Sequence, residues 1–417
     1  MLIAVAAGYG QFGAVASLGE VAHYFGAAAR RGSVQDIAGL SGTVLGVGLV
    51  IIRLSSLAAL PLASLADRWG RKKVLRRVAI AGLLTTAVAA GSPSYWAFVA
   101  FFAVARPLLS ASMTLLGVLT VELSSSQVRV RRLAWIAAGA GGGAGFSAIL
   151  HGVLPGANAF RILFATAALP ALAVSPLLRR LKEAEILAPA ADEVRARLGS
   201  VPRAFRRQMV IVAILTAVVG VISGPANGYA FVYGENILHI ARHEVALVVF
   251  LSAATGIGGL FAGRWFADRY GRRWTVAVGT LATAATSLLA YSGGRTSFIA
   301  GYMLGVFAAA ILAPAASALT NEIFPHSFRA TAAGWVVVAG VLGAIIGLLV
   351  FSLVFDATAA SHVSALASHP LVNSHARLLA STNVNALRIP AVVTFLPTLP
   401  LLLLLHQLPE SRGAEID

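Results

Sequence analysis

The chain has no cysteine, which at once removes disulfides, thiolate metal sites and cysteine nucleophiles. Charge is nearly as scarce. Only 12% of the 417 residues are Asp, Glu, Lys or Arg, against about 25% in ordinary soluble domains. With 58% hydrophobic residues and a mean hydropathy of +0.83, too little polar surface remains to cover a soluble fold. Acidic residues are rarest, 16 against 32 basic ones. The resulting net charge of +16 does not mark a nucleic-acid binder, because the basic residues sit in short clusters between long apolar runs. That is the pattern of cytoplasmic loops, and the partner it implies is the lipid bilayer. Aromatics are few and glycines number 41, which suits closely packed helices better than an aromatic-girdled barrel.

A membrane-crossing helix needs about 20 apolar residues. Twelve runs qualify, at 2–26, 42–66, 75–91, 95–121, 132–154, 160–178, 208–231, 243–265, 273–291, 297–321, 332–356 and 388–407. The expected fold is an all-α, multi-pass membrane protein. Lys and Arg concentrate at 68–77, 129–132, 179–207 and 264–273, whereas the alternate loops hold only scattered Arg residues. Both termini are therefore expected on the cytoplasmic side. The most charged stretch, 179–207, divides the chain into an N-terminal six-helix bundle (1–178), a cytoplasmic connector and a C-terminal six-helix bundle (208–417). The polar stretch 357–387 carries three scattered histidines, His362, His369 and His375, a poor metal site. The chain is expected to act as a monomer without a cofactor.

The two halves repeat. Asp67-Arg68-Trp69-Gly70-Arg71-Lys72 returns as Asp268-Arg269-Tyr270-Gly271-Arg272-Arg273, Glu122 and Arg129 return as Glu322 and Arg329, and Gly143 returns as Gly343. Landmarks in register across such a separation are the mark of duplicated helix bundles.

The same residues resemble a known family. Ala63 to Lys72 is similar to the loop between helices 2 and 3 of the major facilitator superfamily, with Ala63 in place of the pattern's first glycine. Glu322-Ile323-Phe324-Pro325-His326-Ser327-Phe328-Arg329 and Pro409-Glu410-Ser411-Arg412-Gly413 are similar to segments after helices 10 and 12 in its sugar and metabolite:proton symporters. The resemblance implies twelve helices in two pseudo-symmetric bundles, and secondary active transport by alternating access. It assigns Asp67, Arg68, Gly70, Arg71, Glu122, Arg129 and their counterparts Asp268, Arg269, Gly271, Arg272, Glu322, Arg329 to a gate at the cytoplasmic helix ends. It further places the glycine-rich segments 2, 5, 8 and 11 across the interface between halves. The glycine run of the drug antiporters is present at Gly139 to Gly145, but its proline is not. Efflux of drugs by proton antiport stays open as the alternative, as does a non-transporting sensor on the same scaffold.

Charges within the apolar runs bear on the substrate. Arg53 and Arg106 fall near the middle of segments 2 and 4, where an Arg costs about 2.5–3.5 kcal/mol to insert and should face a cavity and a partner. Either they pair with carbonyls or with Glu20, or they bind an anionic substrate through bidentate hydrogen bonds. No Asp or Glu lies at mid-depth of any run, and Glu20, towards the outer end of the first, is the candidate for proton coupling. Tyr9, Gln11, Asn227, Tyr229 and Tyr302 are the remaining cavity candidates. There is no nucleotide-binding loop, and no cluster of His and acids at one depth such as an enzyme would need. The expected activity is proton-linked movement of a small anionic or polar organic metabolite across a bacterial cytoplasmic membrane.

Overall fold

A computed structural model describes residues 1–26, 40–124, 126–156, 158–179, 203–324, 329–367 and 387–408. The central part of the connector, the middle of the polar stretch after segment 11, Pro325 to Phe328 and the Pro409 to Gly413 motif lie outside the described residues.

Each of the twelve apolar runs is helical. Among the described residues, nine helices are long and apolar enough to cross a membrane, and a bent pair, α1 (Leu2–Ala16) and α2 (Leu18–Gly26), makes a tenth span with a 45° break at Ser17. Segment 2 is α3 (Gly42–Ser55) and α4 (Ala59–Trp69), joined by a 3₁₀ turn where Ser55 and Ser56 hydroxyls cap the carbonyls of Ile52 and Arg53. Then follow α5 (Arg71–Val88), α6 (Tyr95–Glu122) and α7 (Ser126–Val153). Segment 6 is split into α8 (Ala159–Ala165) and α9 (Ala168–Arg179).

The second half holds α10 (Arg206–Gly228), α11 (Arg242–Tyr270), α12 (Arg272–Ala290), α13 (Arg295–Ile323) and α14 (Arg329–Ala367). Helix α12 falls short of the apolar threshold, and its hydroxyls explain how it can still lie in lipid. Thr275, Thr280, Thr283 and Thr286 each donate to the carbonyl four residues back, at 2.7–2.8 Å, so none is left unsatisfied. Helix α14 continues to Ala367, three turns past the end of the apolar run at 356. The last segment is helical only as α15 (Arg388–Phe395) and continues as a 3₁₀ stretch, Leu396–Gln407, because Pro397 and Pro400 remove α-helical donors.

Two compact units emerge. The first comprises Met1–Pro189 with His239–Phe250, and the second Ala190–Leu238 with Leu251–Asp417. The first turns of α11 therefore belong with the first unit, although the sequence repeat assigns the helix to the second half.

Within each unit the repeated glycines perform the same task. A Cβ on Gly143 of α7 would overlap the carbonyl of Val5 on α1, and one on Gly343 of α14 would overlap the carbonyl of Ala217 on α10. Neighbouring Gly347 meets Val221 in the same way, while Gly259 and Gly263 of α11 meet Phe307 and Ile311 of α13. Gly143, Gly259, Gly343 and Gly347 were expected between the halves but pack inside one unit, where backbone contact supplies the van der Waals attraction that lipid-immersed helices need, whereas Gly145 of segment 5 meets the Phe250 ring of segment 8 as the resemblance implied.

Candidate functional site

In the first unit, the site is built around α6. Arg106 precedes Pro107, whose missing N–H interrupts the helix ladder at mid-segment. Its Nη1 donates to the Gln11 carbonyl of α1 at 3.4 Å, and its Nε is buried with no hydrogen-bond partner among the described residues. Arg53, in the last turn of α3, lies near enough to act on Arg106 by Coulomb repulsion. The helices that carry the two central guanidiniums, α3 and α6, pack on each other. Among the described residues neither pairs with a carboxylate.

Glu20 is not available to neutralise them. It is buried in α2, where its Oε1 accepts the Ala159 N–H at the start of α8, at 2.9 Å. The same carboxylate lies 3.6 Å from His151 Nδ1 and 3.7 Å from Arg242 Nη1. A Glu20 pairing with the central Arg residues is thereby excluded in this conformation.

Tyr9 and Tyr229 sit in packed interior instead of lining a cavity. The Tyr9 hydroxyl donates to the Leu163 carbonyl at 2.6 Å and contacts Thr166, so it stitches α1 to the break between α8 and α9. Tyr229 is fully buried and stacked on Phe351, with ring centroids 5.0 Å apart. Gln11 contributes its backbone carbonyl to Arg106.

Asn227 and Tyr302 do line a cavity of about 220 Å³, in the second unit between α10, α12 and α13. Asn227 Nδ2 donates to the Ser223 carbonyl at 2.9 Å. Ser223, Thr283 and Ser287 add hydroxyls, and Tyr291, Phe298 and Tyr302 add ring faces. Among the described residues, no charged side chain lines this cavity. Tyr291 closes one wall by donating to the carbonyls of Pro225 and Ala226 at 3.2 and 3.0 Å, where Pro225 interrupts α10.

The repeated loops explain their glycines. Gly70 and Gly271 have φ of +87° and +99°, a conformation costly for any other residue. Each ends one helix and starts the next: Gly70 N–H donates to Ala66 and Gly271 N–H to Ala267, while their carbonyls accept from Val74 and Thr275. Past the second turn, Arg272 reaches Glu322 at 3.3 Å and the Ala267 carbonyl at 3.3 Å, with Asp268 at 4.0 Å. Arg269 turns away to lie over the rings of Trp265 and Tyr270. This charged set ties α11, α12 and α13 together inside the second unit. The side chains of Asp67, Arg68, Glu122, Arg129 and Arg329 lie outside the described residues, and Arg71 is half-buried.

The Major Facilitator Superfamily profile matches residues 1–264 and 226–366. The chain belongs to the major facilitator superfamily. It is a multi-pass membrane transporter and not an enzyme. No curated protein matches it. Among solved structures, this facilitator is similar to a bacterial homologue of the human lysosomal transporter Spinster, in an inward-facing, occupied conformation. There the TM-score is 0.77 at 14% identity, covering 99% of this chain and 97% of that one. It is also similar to a D-xylose-proton symporter (TM-score 0.75, 17% identity, 99% and 97% covered). A third is the nucleoside transporter NupG (0.70, 14%, 96% and 98%). At these identities the likeness establishes the fold.

Three polar residues of this facilitator escaped the sequence reading. Tyr291 stands at the end of an apolar run and is not among the sequence candidates. His151 and Arg242 looked like ordinary residues at outer helix ends, and only tertiary packing gathers them around Glu20. The acid within the first apolar run was the available signal, since a buried carboxylate must find cationic or N–H partners somewhere.

Proposed function

We propose that this transporter moves a small organic anion by alternating access, linked to protons, with Arg53 and Arg106 holding the anionic group. One observation carries the reading: among the described residues the guanidiniums of Arg53 and Arg106, on the packed helices α3 and α6, have no carboxylate partner, and the buried Arg106 Nε has no hydrogen-bond partner. A carboxylate or phosphate would satisfy both through forked hydrogen bonds. A cation would add a third positive charge in a medium of low dielectric constant. The uncharged cavity around Asn227 and Tyr302 supports an organic solute with polar or ring groups over a bare inorganic ion. Two of the similar structures are named for such solutes, D-xylose with protons and nucleosides. Glu20 is the proposed proton carrier, and the residues of the two repeated loops are the proposed gate. Residues 1–178 and 208–417 act as the two six-helix bodies, and the protein resides as a monomer in a bacterial cytoplasmic membrane.

The test is uptake into proteoliposomes from a panel of organic anions, neutral metabolites and cations, with and without an imposed proton gradient. An anion should accumulate, and Arg53→Lys and Arg106→Lys should each weaken its binding about ten- to hundredfold, the loss of a charged hydrogen bond. If cations stabilise the protein in thermal-shift assays and anions do not, the two Arg residues are structural and the reading fails.

A further inference from the structure

At its cytoplasmic end the second unit carries a basic cluster with no part in the transport reading. There α10, α12 and the 3₁₀ stretch Leu396–Gln407 pack on one another. Arg207, in the first turn of α10, donates through Nη2 to Gln407 Oε1 at 3.0 Å. Arg273, the second residue of α12, reaches His406 Nδ1 through its own Nη2 at 3.2 Å. Two guanidiniums from different helices are thereby fastened to consecutive residues of the 3₁₀ stretch. A guanidinium only donates, so His406 Nδ1 is the acceptor here, and neither partner brings a negative charge.

Neutral partners set these two apart from the other arginines of the region. Arg272 spends its charge on Glu322 and Asp268, and Arg269 lies over the rings of Trp265 and Tyr270. Among the described residues, Arg207 and Arg273 meet no carboxylate, and each commits one nitrogen to a neutral acceptor while the other two keep their donors. Arg203 and Arg206, both exposed, add positive charge at the same end of α10.

Apolar surface begins within one turn of this rim. Val210 follows Arg207 by three residues, and Leu403 precedes His406 by three, one turn of a 3₁₀ helix, so each shares the face of its polar neighbour. Leu403 is 70% exposed, and Trp274, next to Arg273, is 62% exposed. In a membrane-spanning chain such groups meet acyl chains, and a Trp beside basic residues marks the headgroup level. The occupant that fits is anionic at one end and apolar along its length.

We infer that Arg207 and Arg273 hold the phosphodiester of an anionic phospholipid of the cytoplasmic leaflet, with its acyl chains along Leu403 and Trp274. The phosphate oxygens accept forked hydrogen bonds from the donors that Gln407 and His406 leave over. An anionic headgroup offsets the unneutralised guanidiniums, whereas a zwitterionic one brings its own cation. Bound there, the lipid braces α10 and α12 against a last segment whose Pro397 and Pro400 cost it α-helical hydrogen bonds. Nothing in this inference depends on the substrate or on proton coupling.

The probe is phosphatidylglycerol, added to the delipidated full-length protein in neutral detergent. Native mass spectrometry counts the retained lipids, and Tm is read in parallel. One phosphatidylglycerol should be retained more tightly than the rest and raise Tm. Arg207→Gln and Arg273→Gln should each weaken its retention about tenfold or more, the loss of a charged hydrogen bond. Arg207→Lys keeps the charge but loses the fork, and should also weaken it; with Arg273→Gln it carries the comparison should Arg207→Gln not fold. Arg264→Gln removes the same charge from an exposed position of α11 and should leave retention unchanged. Retention that survives in both Arg207→Gln and Arg273→Gln overturns the inference, as does an equal loss in Arg264→Gln, which would make the attraction diffuse. Equal retention of phosphatidylcholine by the native protein overturns it too. So does a Tm rise from inorganic phosphate that Arg273→Gln abolishes, since the ligand would then be a free anion.

Discussion

Replacing Arg106 by Met should make the empty transporter more stable and the loaded one no more stable than the empty. Among the described residues, the native guanidinium has one long hydrogen bond, to the Gln11 carbonyl at 3.4 Å, a buried Nε without a partner, and Arg53 on the helix packed beside it. A buried donor left unmade costs about 1–3 kcal/mol, and a single marginal bond returns about 1 kcal/mol or less. Methionine has similar reach, no donor to satisfy, and enough flexibility to fill an irregular space. The gain for the ligand-free protein is therefore about 1–2 kcal/mol, a rise in Tm of about 1–2 °C in detergent. Anion affinity should fall at least ten- to hundredfold, corresponding to about 1.5–3 kcal/mol, so the ligand-induced thermal shift disappears. Thermal unfolding with and without a panel of organic anions reads both quantities. A ligand-free Tm that drops, or an anion-induced shift that survives, refutes the view that this strain is held ready for an anionic group.

Three further outcomes follow from the same geometry. Glu20→Gln should keep counterflow exchange of substrate but lose uphill accumulation driven by a pH gradient, which paired exchange and uptake assays in proteoliposomes distinguish. Gly143→Ala and Gly343→Ala should each lower the folded yield sharply by size-exclusion of a fluorescent fusion, because the new methyl overlaps a backbone carbonyl, whereas Gly141→Ala, with nothing within 4 Å, should be silent. Asp67→Asn should slow transport without loss of folding. Asp268→Asn should do less, because Asp268 is exposed and its Arg contacts are as long as 3.9 and 4.0 Å; equal losses in initial uptake rate would remove that asymmetry.

Architecture was legible in the linear chain because lipid imposes a one-dimensional rule: every crossing needs a sustained apolar run, and basic residues mark the loops between. The duplication was legible for a similar reason. Gly70 and Gly271 must both take a left-handed turn, so the same residue type recurs at matching positions, and Gly143 and Gly343 recur because each lets a neighbouring backbone approach. Sequence alone also located Arg53, Arg106 and Glu20 as costly charges needing an explanation. It could not say which partner each had found, since side-chain pairing depends on helix rotation and on contacts between residues far apart in the chain. Tertiary structure decided that Glu20 turns to Ala159, His151 and Arg242, leaving the two arginines to each other. It also decided that Tyr9 stitches helices while Tyr302 faces open space. It placed the glycines of α11 and α14 within one unit, a choice that small-residue spacing permits but cannot make. The apolar period of a membrane helix says how long it is, and the polar atoms it buries say, only once packed, what it is for.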